Sequence, residues 1–399
     1  MERHQIALGF LGYLFIGTAT VLVPTLMPFI TNEFSATGLT LATIGLIVPA
    51  GAAGGIVGTL LAGVGSDVLG RRRLVWLAAL LLAVALALAA GATRWVLFVL
   101  GVILVSVAQG ALSTGINAMI ADAGRTARAR ALNLLHGVYG VGAAVSPLII
   151  GSLIGGGLLW RWVLGGTGLL WLAYSLVVHQ FYRAERLDAP GGTVTVQPLN
   201  LGMLRERPFL ALFLIAFVYN GVAVSLLSWI AVFTQESAGF STFVSVSMIS
   251  VFYVALTTGR FVCAAVAERL GYAGTLLLLA FGITLTYPLV VLGSQPLVVG
   301  AGVFLTGLTL SGLFPTALAD GARRYPEQTG IVTGTLSVAL TLGSLVPPLW
   351  TGVVAGMAGL QVALGVNYGL VLLLIILARY LGRSDIRHSE APPLPATTP

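Results

Sequence analysis

The chain has 399 residues, of which 57% are hydrophobic and 8% charged, and its mean hydropathy is +1.00. A soluble globular chain is about a quarter charged, so this balance excludes a water-soluble fold and points to an integral membrane protein. The net charge of +7 comes from 20 arginines, with no lysine, against 13 acidic residues; they are not gathered on the aromatic-flanked basic face that a nucleic acid requires.

The hydrocarbon core requires about 20 apolar residues per helix. Runs of that kind predict twelve spans at 5–30, 40–64, 74–92, 95–121, 131–157, 161–182, 208–234, 243–268, 274–293, 297–321, 329–355 and 360–381. The first, HQIALGFLGYLFIGTATVLVPTLMPFI, exceeds a signal-peptide core and lacks a small-residue cleavage pattern, so it reads as a retained helix. Alternation at period two is absent, which argues against a barrel. The longest break, YRAERLDAPGGTVTVQPLNLGMLRERP, is rich in Pro, Gly and charge and marks a linker. The expected organisation is all-α: a six-helix bundle over 1–182, a cytoplasmic linker over 183–207, a second bundle over 208–381 and a cytoplasmic tail over 382–399.

Arginine sets the expected orientation. With the N-terminus inside, 17 of the 20 arginines fall on the inner face, Arg94 and Arg161 on the outer, and Arg260 within a helix. That asymmetry is the positive-inside pattern, and it predicts a multi-pass plasma (inner) membrane protein with both termini cytoplasmic. The lone Cys263 excludes an intramolecular disulfide and a CxxC metal site.

The two halves repeat. Gly58 to Gly70 (GTLLAGVGSDVLG) aligns without a gap on Gly259 to Gly271 (GRFVCAAVAERLG), 201 residues later, so that Asp67 falls on Glu268. The same offset pairs Gly142 with Gly343 and Pro147 with Pro348, while IADAGR and LADGAR pair Asp122 with Asp320. The loop GVGSDVLGRRR, with its echo AERLG, resembles the signature between helices two and three of the major facilitator superfamily. Within it, LNLLHGVYGVGAAVSPLIIG, GLTLSGLFPTALADGAR and GRFVCAAVAERLG are similar to the fucose and glucose/mannose proton-symporter family. The resemblance implies two pseudo-symmetric six-helix bundles around a midplane site. It also implies a gating role for Asp67, Gly70 and Arg71, with Glu268, Asp122 and Asp320 as their counterparts. A physical basis is available: a carboxylate at a helix end can meet arginines or a helix N-terminus of the other half. The alternative is that the arginines only anchor to anionic headgroups.

Ionisable groups at membrane depth are costly and therefore candidates for function. Arg260 either pairs with Asp320 or Glu268 or binds an anionic or hydroxyl-rich substrate. His136 either satisfies a local hydrogen bond or carries a proton. Around them stand Gln109, Ser113 and Asn117 on one helical face, Asn133, Tyr139, Tyr219, Asn220 and Trp229. Such a set suits a multi-hydroxyl solute or simply links helices. Sugar symporters of the resembled type usually carry a carboxylate in helix four, and the glucose/mannose members one in helix seven, near the places where this chain has Ser113 and Ala223. Proton coupling would then rest on His136, or sodium or no ion is used.

No catalytic, metal or nucleotide constellation is present, so no enzyme activity and no cofactor is expected. The expected function is secondary or facilitative transport of a small polar, sugar-like solute by a monomer. The alternatives are an exporter of amphipathic drugs or organic anions and a transporter-like receptor or lipid-handling protein.

Overall fold

The computed structural model describes residues 3–123, 128–183, 202 and 205–389. The described chain is almost entirely helical, and twelve of its segments are long and apolar enough to cross a bilayer. In the first half these are α1 (Arg3–Ser35), α2 with α3 (Leu41–Gly45, Ile47–Leu69), α4 (Arg71–Gly91), α5 (Trp95–Ala123), α6 (Arg128–Gly155) and α7 (Trp160–Arg183). In the second they are α8 (Arg207–Glu236), α9 (Thr242–Leu292), α10 with α11 (Pro296–Leu310, Leu313–Arg324), α12 (Thr329–Ala358) and α13 with α14 (Leu360–Val366, Tyr368–Ser389).

Where helices depart from the expected spans, the reason is local. Spans eight and nine are two helices that follow one another within α9 and part at Gly271, whose non-helical φ of 67° no branched residue takes without strain. Helix α1 continues past Ile30 because its polar last turn has partners: Glu33 accepts from Trp160 Nε1 at 3.0 Å and pairs with Arg161. Arg161 also donates to the carbonyls of Ala90 and Ala92 at 2.9 and 2.7 Å, capping the end of α4. Helix α14 runs beyond 381 to Ser389, since hydropathy ends with the bilayer while the backbone ladder does not. Most of the expected linker, at 184–201 and 203–204, lies outside the described residues.

The repeat is visible in the packing. Gly58 lets α3 approach the Val107 carbonyl of α5, and Gly259 lets α9 approach the Leu308 carbonyl of α10; both members of the pair are offset by 201. Gly142 on α6 packs on α1 at Leu14 and Thr18, as Gly343 on α12 packs on α8 at Phe217 and Gly221. Small residues let membrane helices come close enough for dispersion to hold them, since lipid supplies no hydrophobic drive between helices.

An even number of crossings places both chain ends on one side, the terminal face. Contacts between the halves run along α1 with α8, α2 and α3 with α12, and α6 with α9. Toward the opposite, far face these seams are tight. Gly45 meets Gly352, Gly356 meets Ala42, and Gly151 meets Val246.

Candidate functional site

Below that closure lies a cavity of about 910 Å³. It is walled by residues of α1, α3, α5, α6, α8 and α12 and so belongs to both halves. Its walls are mostly apolar, with Ile16, Val23, Met27, Val102, Leu342 and Leu345 among them. Hydroxyls and one amide interrupt the surface: Thr20, Thr59, Ser106, Gln109, Ser113, Ser228, Ser337, Thr341 and Ser344. No carboxylate lines it among the described residues. Leu60 and Val338, at the end nearer the terminal face, are 67% and 53% exposed, so the mouth is rimmed by apolar side chains.

Of the residues expected at the site, Gln109, Ser113, His136 and Tyr139 line this cavity. Asn117 shares their face but stands behind the wall. Its amide donates to the Tyr13 hydroxyl and, at 3.4 Å, to Ser113 Oγ, while Tyr13 and Ser113 are 3.0 Å apart. This triad joins α1 to α5 and turns the Tyr13 ring into the cavity, edge-on to His136 at 5.4 Å. Asn117 Oδ1 is buried without a partner. Tyr13 was not singled out from the sequence, because an isolated tyrosine in an apolar helix carries no periodic or motif signal.

Three expected residues serve elsewhere. Asn220 donates to the Leu340 carbonyl at 2.6 Å and ties α8 to α12, the linking role amides often take between membrane helices. Trp229 is fully buried at the far-face seam, its ring against Gly45 and beside Gly352, and its Nε1 has no acceptor. Tyr219 stacks on Phe314 at 6.2 Å and 14°.

Arg260 does not pair with Asp320. That carboxylate is fully buried and is held by Arg323 at 2.6 Å and Arg324 at 2.9 Å, with Arg324 reaching Ser384 of α14. Those groups sit on the same helix as Asp320, one turn away, and satisfy it before Arg260 can reach it. Arg260 instead stands on α9 one turn past Thr257, which packs against Gly140 of α6, and His136 lies one turn along α6 from that contact.

At the terminal face, Gly70 takes φ 79° between α3 and α4, and Arg71 turns to the Ala118 carbonyl of α5 at 3.5 Å. The side chains of Asp67, Asp122, Asn133 and Glu268 lie outside the described residues. No group of three or more metal-ligating side chains occurs among the described residues.

The sequence model of the Major Facilitator Superfamily matches residues 9–348. The chain belongs to this superfamily. Membership makes it a multi-pass membrane transporter and not an enzyme. It is 22% identical over 394 residues to an uncharacterized MFS-type transporter, YfkL, of Bacillus subtilis strain 168, covering 93% of this chain and 94% of that one. Among solved structures it resembles a bacterial homologue of the human lysosomal transporter Spinster, captured inward-facing and occupied. The TM-score is 0.77 at 15% identity, over 98% of each chain. It equally resembles the nucleoside transporter NupG, with TM-score 0.77 at 13% identity over 94% of this chain and 98% of that one. These structural likenesses establish the fold.

Proposed function

We propose that the chain carries a small amphipathic organic solute across the plasma membrane by alternating access, with residues 1–182 and 208–381 as the two rocking units. The reading rests on one observation: an apolar-walled cavity between the halves, closed at the far face by glycine-mediated contacts. A volume of about 910 Å³ falls within the range of drug-sized ligand sites, which are mostly apolar with a few placed polar groups. The arginine asymmetry supports a cytoplasmic terminal face, so the conformation described is open to the inside.

A sugar-like solute is the second reading. Gln109, Ser113 and Tyr139 favour it, and so does the resemblance of helices five, eight and ten to the fucose and glucose/mannose symporters. Against it, Asn117 is committed to Tyr13, Asn220 to the backbone and Trp229 to the far seam, so the cavity's remaining polar groups are mostly single hydroxyls set in an apolar wall. Unpaired hydroxyls in a dry pocket cost about 1–3 kcal/mol each.

The test is a conformational trap. In a Cys263→Ala background, Ala42→Cys with Gly356→Cys places two thiols where a Cβ on residue 356 falls 2.9 Å from Ala42 Cβ, within reach of a disulfide after slight relaxation. Oxidation is expected to stop solute flux in proteoliposomes and reduction to restore it. Undiminished flux in the fully cross-linked protein overturns the rocking mechanism.

A further inference from the structure

The seam between α6 and α9 can be followed rung by rung. Gly151 sits against Val246 near the far face, Tyr139 and Tyr253 are 6.4 Å apart between ring centres, and a Cβ on Gly140 would fall 2.8 Å from Thr257 Oγ1. One turn further toward the terminal face stand His136 on α6 and Arg260 on α9, and both are exposed. The two helices therefore part at this rung, at the mouth of the cavity that His136 lines.

Arg260 lies 11 residues before the Gly271 bend, about 16 Å along the helix at 1.5 Å per residue, which puts it within the span. Among the described residues it has no carboxylate partner. With the mouth open, water reaches the guanidinium. Closing α6 onto α9 at this rung would strip that water and bring the cation against an imidazole. A guanidinium is always charged, and an unpaired one at membrane depth costs about 3 kcal/mol or more. Closure of the empty carrier is thus penalised, and among the described residues the cavity wall holds no acid that could offset the penalty.

We infer that the solute supplies it: an organic anion seats its acidic group between Arg260 and His136, with its apolar body along Ile16, Val23, Val102 and Leu342, and so draws α6 to α9 to close the terminal mouth. This inference rests on the transport reading above and names the chemical class of its solute. The fork of a guanidinium matches a carboxylate or sulfonate by two parallel hydrogen bonds.

The test compares an acid with its neutral isostere. Binding of naphthoate and naphthamide is measured by thermal shift on the purified full-length protein, beside benzoate and decanoate. Wild type should bind naphthoate more tightly than the amide. Arg260→Gln should weaken naphthoate about 30-fold or more, Arg260→Lys should recover part of it, and the amide should bind all three alike, which also reports that the variants are folded. Spin labels at Leu134→Cys and Phe261→Cys, in the Cys263→Ala background, should move closer when naphthoate is added to wild type and stay apart in Arg260→Gln. Equal binding of acid and amide to wild type, undiminished naphthoate binding to Arg260→Gln, or binding of none of the three acids overturns the anion seat. The far-face disulfide trap does not depend on any of these, so its failure would remove the transport reading instead.

Discussion

Gly70 and Gly271 stand 201 residues apart and make the same corner, with φ of 79° and 67° at matching ends of the two halves. Each turns the chain back at the terminal face with ψ of 148° and 173°, a region that only glycine enters freely and that costs a residue with a Cβ about 1–3 kcal/mol. Gly70→Ala and Gly271→Ala should each lower the melting temperature in detergent by an amount consistent with that figure. Similar losses at both positions are the mark of the repeat, and a loss at only one would show that the two corners are not equivalent.

Trp229 fills the far-face seam against Gly45 and beside Gly352. Its removal leaves a cavity in the closed seal rather than in either bundle alone, and burial losses of this size run to about 3–5 kcal/mol. In Trp229→Ala the far face should open more often. A membrane-impermeant maleimide applied from that side should then label Ala42→Cys, in the Cys263→Ala background, faster than it does with Trp229 present. Unchanged labelling would place the seal elsewhere.

Asp320 is fully buried and holds Arg324, itself only 9% exposed. Asp320→Asn removes the charge that matches this guanidinium, and breaking one side of a buried pair costs about 3–5 kcal/mol. The variant should melt well below wild type. Arg323, at 48% exposed, contributes little by comparison, and Arg323→Gln should shift the melting point by a small fraction of that amount.

His136 lines the cavity edge-on to Tyr13. A free imidazole titrates near pH 6.5, and a proton taken here beside a bound anion would travel with it. His136→Ala should abolish accumulation driven by an imposed pH gradient and, because the imidazole also faces the anion seat, raise the solute concentration needed for half-maximal counterflow without abolishing exchange. Accumulation that still follows the gradient would exclude His136 as the proton carrier.

The fold was legible because its signals are bulk properties. Twelve apolar runs and a gapless repeat around Gly58 and Gly259 require only the chemistry of a bilayer and the chain's own periodicity. The site was legible in part. Gln109, Ser113, His136 and Tyr139 are polar at depth and do line the cavity. Trp229 and Asn220 are equally polar at depth, but helix rotation directs one into the far seam and the other to a backbone carbonyl, and rotation is set by packing partners that a single sequence does not name. Tyr13 escaped because its importance comes from Asn117, a residue 104 positions away. Arg260 was found by depth alone, whereas its alternative partner Asp320 proved to be satisfied locally by Arg323 and Arg324.

The seal at the far face joins the two halves through Gly45, Gly352, Ala42, Gly356 and Trp229, with no charged pair spanning it among the described residues. Its opening separates neutral surfaces, so counter-ions have nothing there to screen. The rate at which the carrier exposes its far side should accordingly be indifferent to ionic strength. Any salt dependence of turnover then reports on the other mouth, where the arginines are.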